Sequence, residues 1–212
     1  MSEKKRIEDF GEVLTPNAQV KEMLDLVEIE NNRIDSKFLE PACGTGNFLG
    51  KILEKKIKII NNKYRSNQLD YERYLFSAVS SIYGIDILRD NVTSCKNVLF
   101  EKTIENYNKL FGKLGNPKLL NTIKFVLDLN IIWGDALKLI NMEKKTPIVF
   151  SNWSIISGSL VKRMEYKFLD LIAYQPFKEG TLFSDLGDKV IIPDPVKDYK
   201  PIHYLNIAND TK

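Results

Sequence analysis

Apolar residues recur at helical spacing near the start of the chain, where Val20, Met23, Leu24 and Val27 fall on one stripe and predict an amphipathic helix over residues 16–29. Thr15 and Pro16 suit its first turn, the threonine as a cap for free amides and the proline because no donor is needed there. A short apolar run predicts a strand at residues 37–40, and Phe48, Leu49, Ile52 and Leu53 predict a helix from Asn47 to about Ile60. The polar, asparagine-rich stretch 61–70 reads as a loop. Helical patterning returns at 71–80, from Arg89 to about Phe111, and from Pro117 to about Leu129. Strands are predicted at Ile82–Asp86, Ile131–Trp133 and Ile148–Phe150.

Strands that alternate with helices imply an α/β fold with a mainly parallel, doubly wound sheet, helices lying on both of its faces. The last quarter is less regular: Lys162 to Ala173 reads as one more helix and Val190-Ile191-Ile192 as a strand. Pro193, Pro195 and Pro201 then predict an extended, irregular tail. With 212 residues, no internal repeat and no composition break, the expectation is a single domain. It divides into an N-terminal helical segment (1–36), a core (37–156) and a C-terminal extension (157–212).

Composition narrows the function without naming it. The net charge of +3 does not by itself argue for nucleic acid, and the basic cluster Lys51, Lys55, Lys56, Lys58, Lys63 and Arg65 reads mostly as solvated helix face. No apolar run approaches the roughly 20 residues of a membrane helix, and the charged first residues lack a signal-peptide core, so a cytoplasmic protein away from membranes is expected. Cys43 and Cys95 show no metal-ligand spacing and read as reduced, structural thiols, while His203 is the only histidine and has no partners for a dyad or a zinc site.

The chemistry lies at the strand ends. Phe38-Leu39-Glu40-Pro41-Ala42-Cys43-Gly44-Thr45-Gly46-Asn47 runs from strand through a glycine turn into a helix. Gly44 and Gly46 tolerate positive φ and leave the backbone amides open to a ligand. Asp86 and Asp135 end the next two strands, and a carboxylate beyond a second strand is suited to accepting both hydroxyls of a ribose.

The glycine string resembles motif I of the S-adenosylmethionine-dependent amino-methyltransferases, above all the adenine-specific DNA methyltransferases of restriction-modification systems. Ser81-Ile82-Tyr83-Gly84-Ile85-Asp86-Ile87 looks like that family's second motif, and Asn130-Ile131-Ile132-Trp133-Gly134-Asp135-Ala136-Leu137 like its third. Phe10-Gly11-Glu12-Val13-Leu14-Thr15-Pro16 resembles its motif X, so the resemblance covers residues 7 to 153. It implies a Rossmann-like, class I methyltransferase fold and S-adenosylmethionine as cofactor, with no metal. Thr15 and the backbone near Ala42 and Gly44 would then meet the methionine moiety, with Glu40 and Gly46 also among the cofactor-binding residues. Asp86 would hold the ribose, Ile87 would lie against the adenine, and Asp135 would accept its amino group.

The fourth motif departs from the pattern. The family places Asn/Asp/Ser-Pro-Pro-aromatic at the end of the fourth strand, where it binds a base flipped out of the duplex. Here, seventeen positions after Asp135, the chain reads Ser151-Asn152-Trp153 without either proline. Asp194-Pro195 shares two letters with the motif but lacks the aromatic, and reads as a turn.

Two functions follow from the resemblance. The first is methyl transfer to the N6 amino group of adenine in DNA, with Asn152 and Trp153 as a degenerate catalytic pair. The second is a catalytically inactive, cofactor-binding subunit or regulator of a restriction-modification or phage-defence assembly, partnered by a specificity subunit or by a second copy of the chain. RNA or protein glutamine would use the same cofactor fold, and a glutamine methyltransferase would need the same missing motif.

Overall fold

A computed structural model describes residues 17–112, 116–173 and 193–209. The N-terminal pattern forms two helices, α1 (Asn17–Leu26) and α2 (Glu28–Asn31). Strand β1 (Phe38–Glu40) leads through the glycine turn into α3 (Asn47–Tyr64), followed by α4 (Gln68–Ser80), β2 (Ile82–Asp86) and α5 (Arg89–Phe111). Next come α6 (Pro117–Asn130) and β3 (Ile131–Asp135), then the short strands β4 (Ile140–Asn141) and β5 (Thr146–Pro147). β6 (Val149–Ser157), β7 (Leu160–Lys167), α7 (Phe168–Ala173), β8 (Lys197–Asp198), β9 (Ile202–His203) and a 3₁₀ helix (Tyr204–Asn209) complete the described chain.

The fold is α/β, and its main sheet mixes parallel and antiparallel pairs. Its order is β1-β2-β3-β4-β5; β1 with β2 and β2 with β3 are parallel, whereas β3–β4 and β4–β5 are antiparallel. The expected, mainly parallel sheet is thus parallel over its first three strands. One face of β2 meets α3, since a Cβ at Gly84 would lie 3.1 Å from Leu49. The opposite face receives β6, with the Phe150 ring edge-on to Tyr83 at 5.4 Å. The apolar core spans the described chain from Val20 to Ile207. No helix among the described residues is long and apolar enough to cross a membrane.

Four local expectations need correction. The predicted loop 61–70 shrinks to Arg65–Asn67, because α3 and α4 close on each other as a helical pair. Tyr64 stacks on Tyr74 at 4.0 Å, the Tyr71 hydroxyl donates to Asn61 Oδ1 at 2.8 Å, and Asn67 caps α4 by accepting from the Asp70 amide.

The predicted helix over Lys162–Ala173 is a strand up to Lys167 and helical only from Phe168. Gly158, at φ +52°, turns the chain back on itself, so β6 and β7 form a hairpin in a second sheet. The fourth strand therefore pairs antiparallel with its successor instead of extending the parallel sheet. The tail is also more ordered than its prolines imply: β8 and β9 pair with β7, and the Tyr204 carbonyl accepts from Thr122 on α6 at 3.1 Å.

Lys56 departs from the solvated face assigned to its cluster. It is fully buried, and its ammonium donates to the carbonyls of Ile34 and Ser36 and to the Ser81 hydroxyl. The expected strand at Val190-Ile191-Ile192 lies outside the described residues.

Candidate cofactor site

The turn after β1 is built from backbone constraints. The Cys43 amide donates to the Ile85 carbonyl at 2.9 Å, pinning the turn to β2, and the Gly46 amide donates to the Cys43 carbonyl at 2.9 Å. Gly44 and Gly46 adopt φ of +52° and +91°. A Cβ at Gly46 would lie 3.0 Å from Cys95 Sγ and 3.1 Å from its Cα, whereas one at Gly44 would meet no atom within 4 Å. Gly46 is required by packing as well as by φ, while Gly44 borders open space through which a ligand can reach the backbone.

This difference gives a prediction. Gly46→Ala combines left-handed strain with a clash and should destabilise the chain by about 3 kcal/mol. Gly44→Ala carries the strain alone and should cost about 1 kcal/mol. Urea unfolding curves of the two variants measure both, and equal losses would contradict the packing argument.

Asp86 is 6% exposed, and its carboxylate accepts three hydrogen bonds. Oδ2 accepts from the Gly44 amide at 2.8 Å; Oδ1 accepts from the Leu88 amide at 2.8 Å and from Asn91 Nδ2 at 3.3 Å. Asp86 thus joins the carboxyl ends of β1 and β2 into one unit. Glu40 accepts from the Ala42 amide at 3.2 Å, and partial burial raises its pKa against that bond.

Asp135 closes its own turn, accepting from the amides of Lys138 at 2.9 Å and Leu137 at 3.0 Å. The Lys138 amide first, then that of Leu137 and the Lys138 ammonium, hold its carboxyl below the usual range. Ile87 is half-buried, its carbonyl accepting from the Trp133 indole at 3.0 Å, and the Arg89 guanidinium lies 5.1 Å from the Trp133 ring. Cys43 and Cys95 are buried; a hydrogen bond between the thiols, then burial, pushes Cys43 well above the ordinary thiol range, so it is no nucleophile.

Glu40, Ala42, Gly44, Gly46, Asp86, Ile87 and Asp135 therefore gather at the carboxyl ends of the three parallel strands. Thr15 lies outside the described residues. Asn91, which follows the second-motif segment in the sequence, received no site role there, although it donates to Asp86; an amide five residues beyond a strand-end aspartate was the available signal.

Asn152 and Trp153 are not brought to this end. Lys37, the residue before β1, donates to Asn152 Oδ1. The Trp153 indole donates to Asn130 Oδ1 at 3.0 Å, and Asn130, the residue before β3, in turn donates to the carbonyls of Ser80 and Ile82. Both residues of the expected pair thus sit at the amino ends of the strands, with the length of β2 (Ile82–Asp86) between that end and Asp86. Trp153 is a packing residue here, 7% exposed, edge-on to Phe76 at 6.2 Å and beneath the Arg163 guanidinium. The reason is the direction of β6: Ile148 would contact a Cβ at Gly134, and the Tyr83 hydroxyl donates to the Ser151 carbonyl, so the strand descends the sheet face toward the amino ends.

Comparison with protein-family models, with curated proteins and with solved structures finds no match to this chain.

Proposed function

We propose that the chain is an S-adenosylmethionine-binding, methyltransferase-like module of Rossmann-like class I type that does not itself transfer methyl groups. It serves as the cofactor-binding subunit or regulator of a DNA-modifying restriction or phage-defence assembly. The observation that carries this reading is the separation of the two halves of the motif set. The glycine turn and Asp86 stand at one end of the parallel strands, and Asn152 with Trp153 at the other.

The residues present fit the cofactor. Gly44 leaves open space beside its amide, and a carboxylate with four lone-pair sites, three of them engaged, stands at the end of β2. Bound S-adenosylmethionine would supply a sulfonium-activated methyl. Gly44 and Ala42 would present backbone to the methionine moiety, Asp86 would exchange its bond to the Gly44 amide for the ribose hydroxyls, and Ile87 would flank the adenine. Asp135 would have to turn away from its own loop to take the adenine amino group.

Methylation of adenine by the isolated chain is the reading this displaces, since no amide acceptor of the fourth motif faces the turn among the described residues. Calorimetry with S-adenosylmethionine and its demethylated product, paired with tritium-transfer assays on adenine-containing DNA, tests both parts. Equimolar binding without transfer is expected. Transfer by the isolated chain would overturn the non-catalytic part, and absence of binding would overturn the cofactor.

A further inference from the structure

At the amino ends of the strands, opposite the glycine turn, an open cleft of about 760 Å³ lies between the segment preceding β1, helices α3 and α4, and the tip of the β6–β7 hairpin. Its charged lining is cationic, with Arg33, Lys37, Lys63 and Arg73 against Asp35. Ser77, Ser80 and Ser81 also line it but are buried, the Ser80 and Ser81 hydroxyls donating to the carbonyls of Ser77 and Ala78, and Ile155 and Ile156 form an apolar wall, 40% and 53% exposed. We propose that this cleft binds the phosphodiester backbone of a single nucleic-acid strand, outside the cofactor site and independently of it.

Each cation contributes in a different way. Lys63 is exposed and pairs with no carboxylate among the described residues. Arg33 spends one nitrogen on Asp35 at 3.2 Å and Arg73 one on Asp70 at 3.0 Å, leaving the other donors of each fork for a phosphate. Among the described residues Lys37 donates to the neutral amide of Asn152, and Asp35 is the carboxylate whose charge acts on it, so the ammonium is not neutralised by a direct ion pair. Four positive side chains facing one acid concentrate an anionic ligand and its counterion release in one place.

The shape selects the form of that ligand. The volume, about 760 Å³, exceeds the need of an inorganic anion. A cationic wall facing Ile155 and Ile156 suits a chain that is charged along its backbone and apolar on its base faces. Such a strand fits better than an acidic peptide, because its base faces can lie against Ile155 and Ile156 while the arginine forks take the phosphate oxygens.

Fluorescence anisotropy of the full chain with labelled oligodeoxythymidine, the matching RNA and a duplex tests the proposal; the first two probes distinguish DNA from RNA. A single strand should bind, and its affinity should fall with salt at a log–log slope of about −0.7 per phosphate contacted. Arg33→Gln with Lys63→Gln, both at exposed positions, should make the slope shallower by about 1.4 and weaken binding roughly tenfold at low salt, without moving the thermal midpoint. Unchanged slope and affinity in the double variant would overturn the proposal. So would preference for the duplex, or displacement of the strand by poly-glutamate as readily as by unlabelled oligonucleotide, which would point to an acidic protein partner. Calorimetry with S-adenosylmethionine should be identical for wild type and variant, so failure of the cleft and failure of the cofactor reading are separate results.

Discussion

Asp86→Ala is expected to lower stability by about 3 kcal/mol and to abolish calorimetric binding of S-adenosylmethionine at temperatures where the variant remains folded. The first effect follows from the hydrogen bonds. The carboxylate accepts from two backbone amides, Gly44 and Leu88, and from Asn91, at a site 6% exposed. A hydrogen bond to a charged group contributes about 1.5–3 kcal/mol, and alanine leaves two amides with neither protein nor full access to water. The second effect has two sources, loss of the ribose acceptor and release of the Gly44 turn from β2. Asp135→Asn separates them from general damage: the side chain is half-buried at the surface, an amide oxygen still accepts from Leu137 and Lys138, and stability should move much less than in Asp86→Ala. Urea midpoints and calorimetry on the two variants make the comparison. Wild-type binding by Asp86→Ala would remove this carboxylate from the cofactor site.

The parts of this arrangement that were legible in the sequence are those decided locally. Glycines at positive φ, an aspartate ending an apolar run and a proline at a helix start each announce a geometry within a few residues, and the turn after β1, strands β2 and β3 and helix α6 lie where such signals place them. What the sequence concealed depends on partners far along the chain. The direction of β6 is set by its hairpin with β7 and by Tyr83, Asn130 and Phe76 beneath it. None of these is visible in Ser151-Asn152-Trp153, which is why a motif position resembling a catalytic one became a packing position. The missing prolines were a real signal, since without them nothing local fixes the backbone at Asn152. Lys56 is an intermediate case. It falls on the same helical stripe as Leu49, Ile52, Leu53 and Ile60, all fully buried, so the periodicity marked it as inward-facing even while its charge suggested solvent.

That buried lysine should govern the pH dependence of stability. Burial pushes Lys56 down to about 7, from an ordinary value of 10.5. Below pH 7 both folded and unfolded chains carry the charge, and the folded chain bears its full desolvation cost. Between about pH 7 and 10.5 the unfolded chain binds the extra proton, so stability must rise with pH, by at most about 1.4 kcal/mol per unit. Three acceptors around the ammonium soften the rise, and about 3 kcal/mol across the window is expected. The trend should turn over near pH 10, because burial pushes Tyr71 up to about 12, and ionisation of tyrosine then favours the unfolded chain. Lys56→Met keeps the apolar stem and removes the titration, at the cost of leaving the Ile34 and Ser36 carbonyls without their donor. Its urea midpoint should therefore be flat from pH 7 to 10 where wild type climbs. A flat wild-type curve would show that the ammonium stays charged inside the fold, and a climbing Met variant would place the titrating group elsewhere.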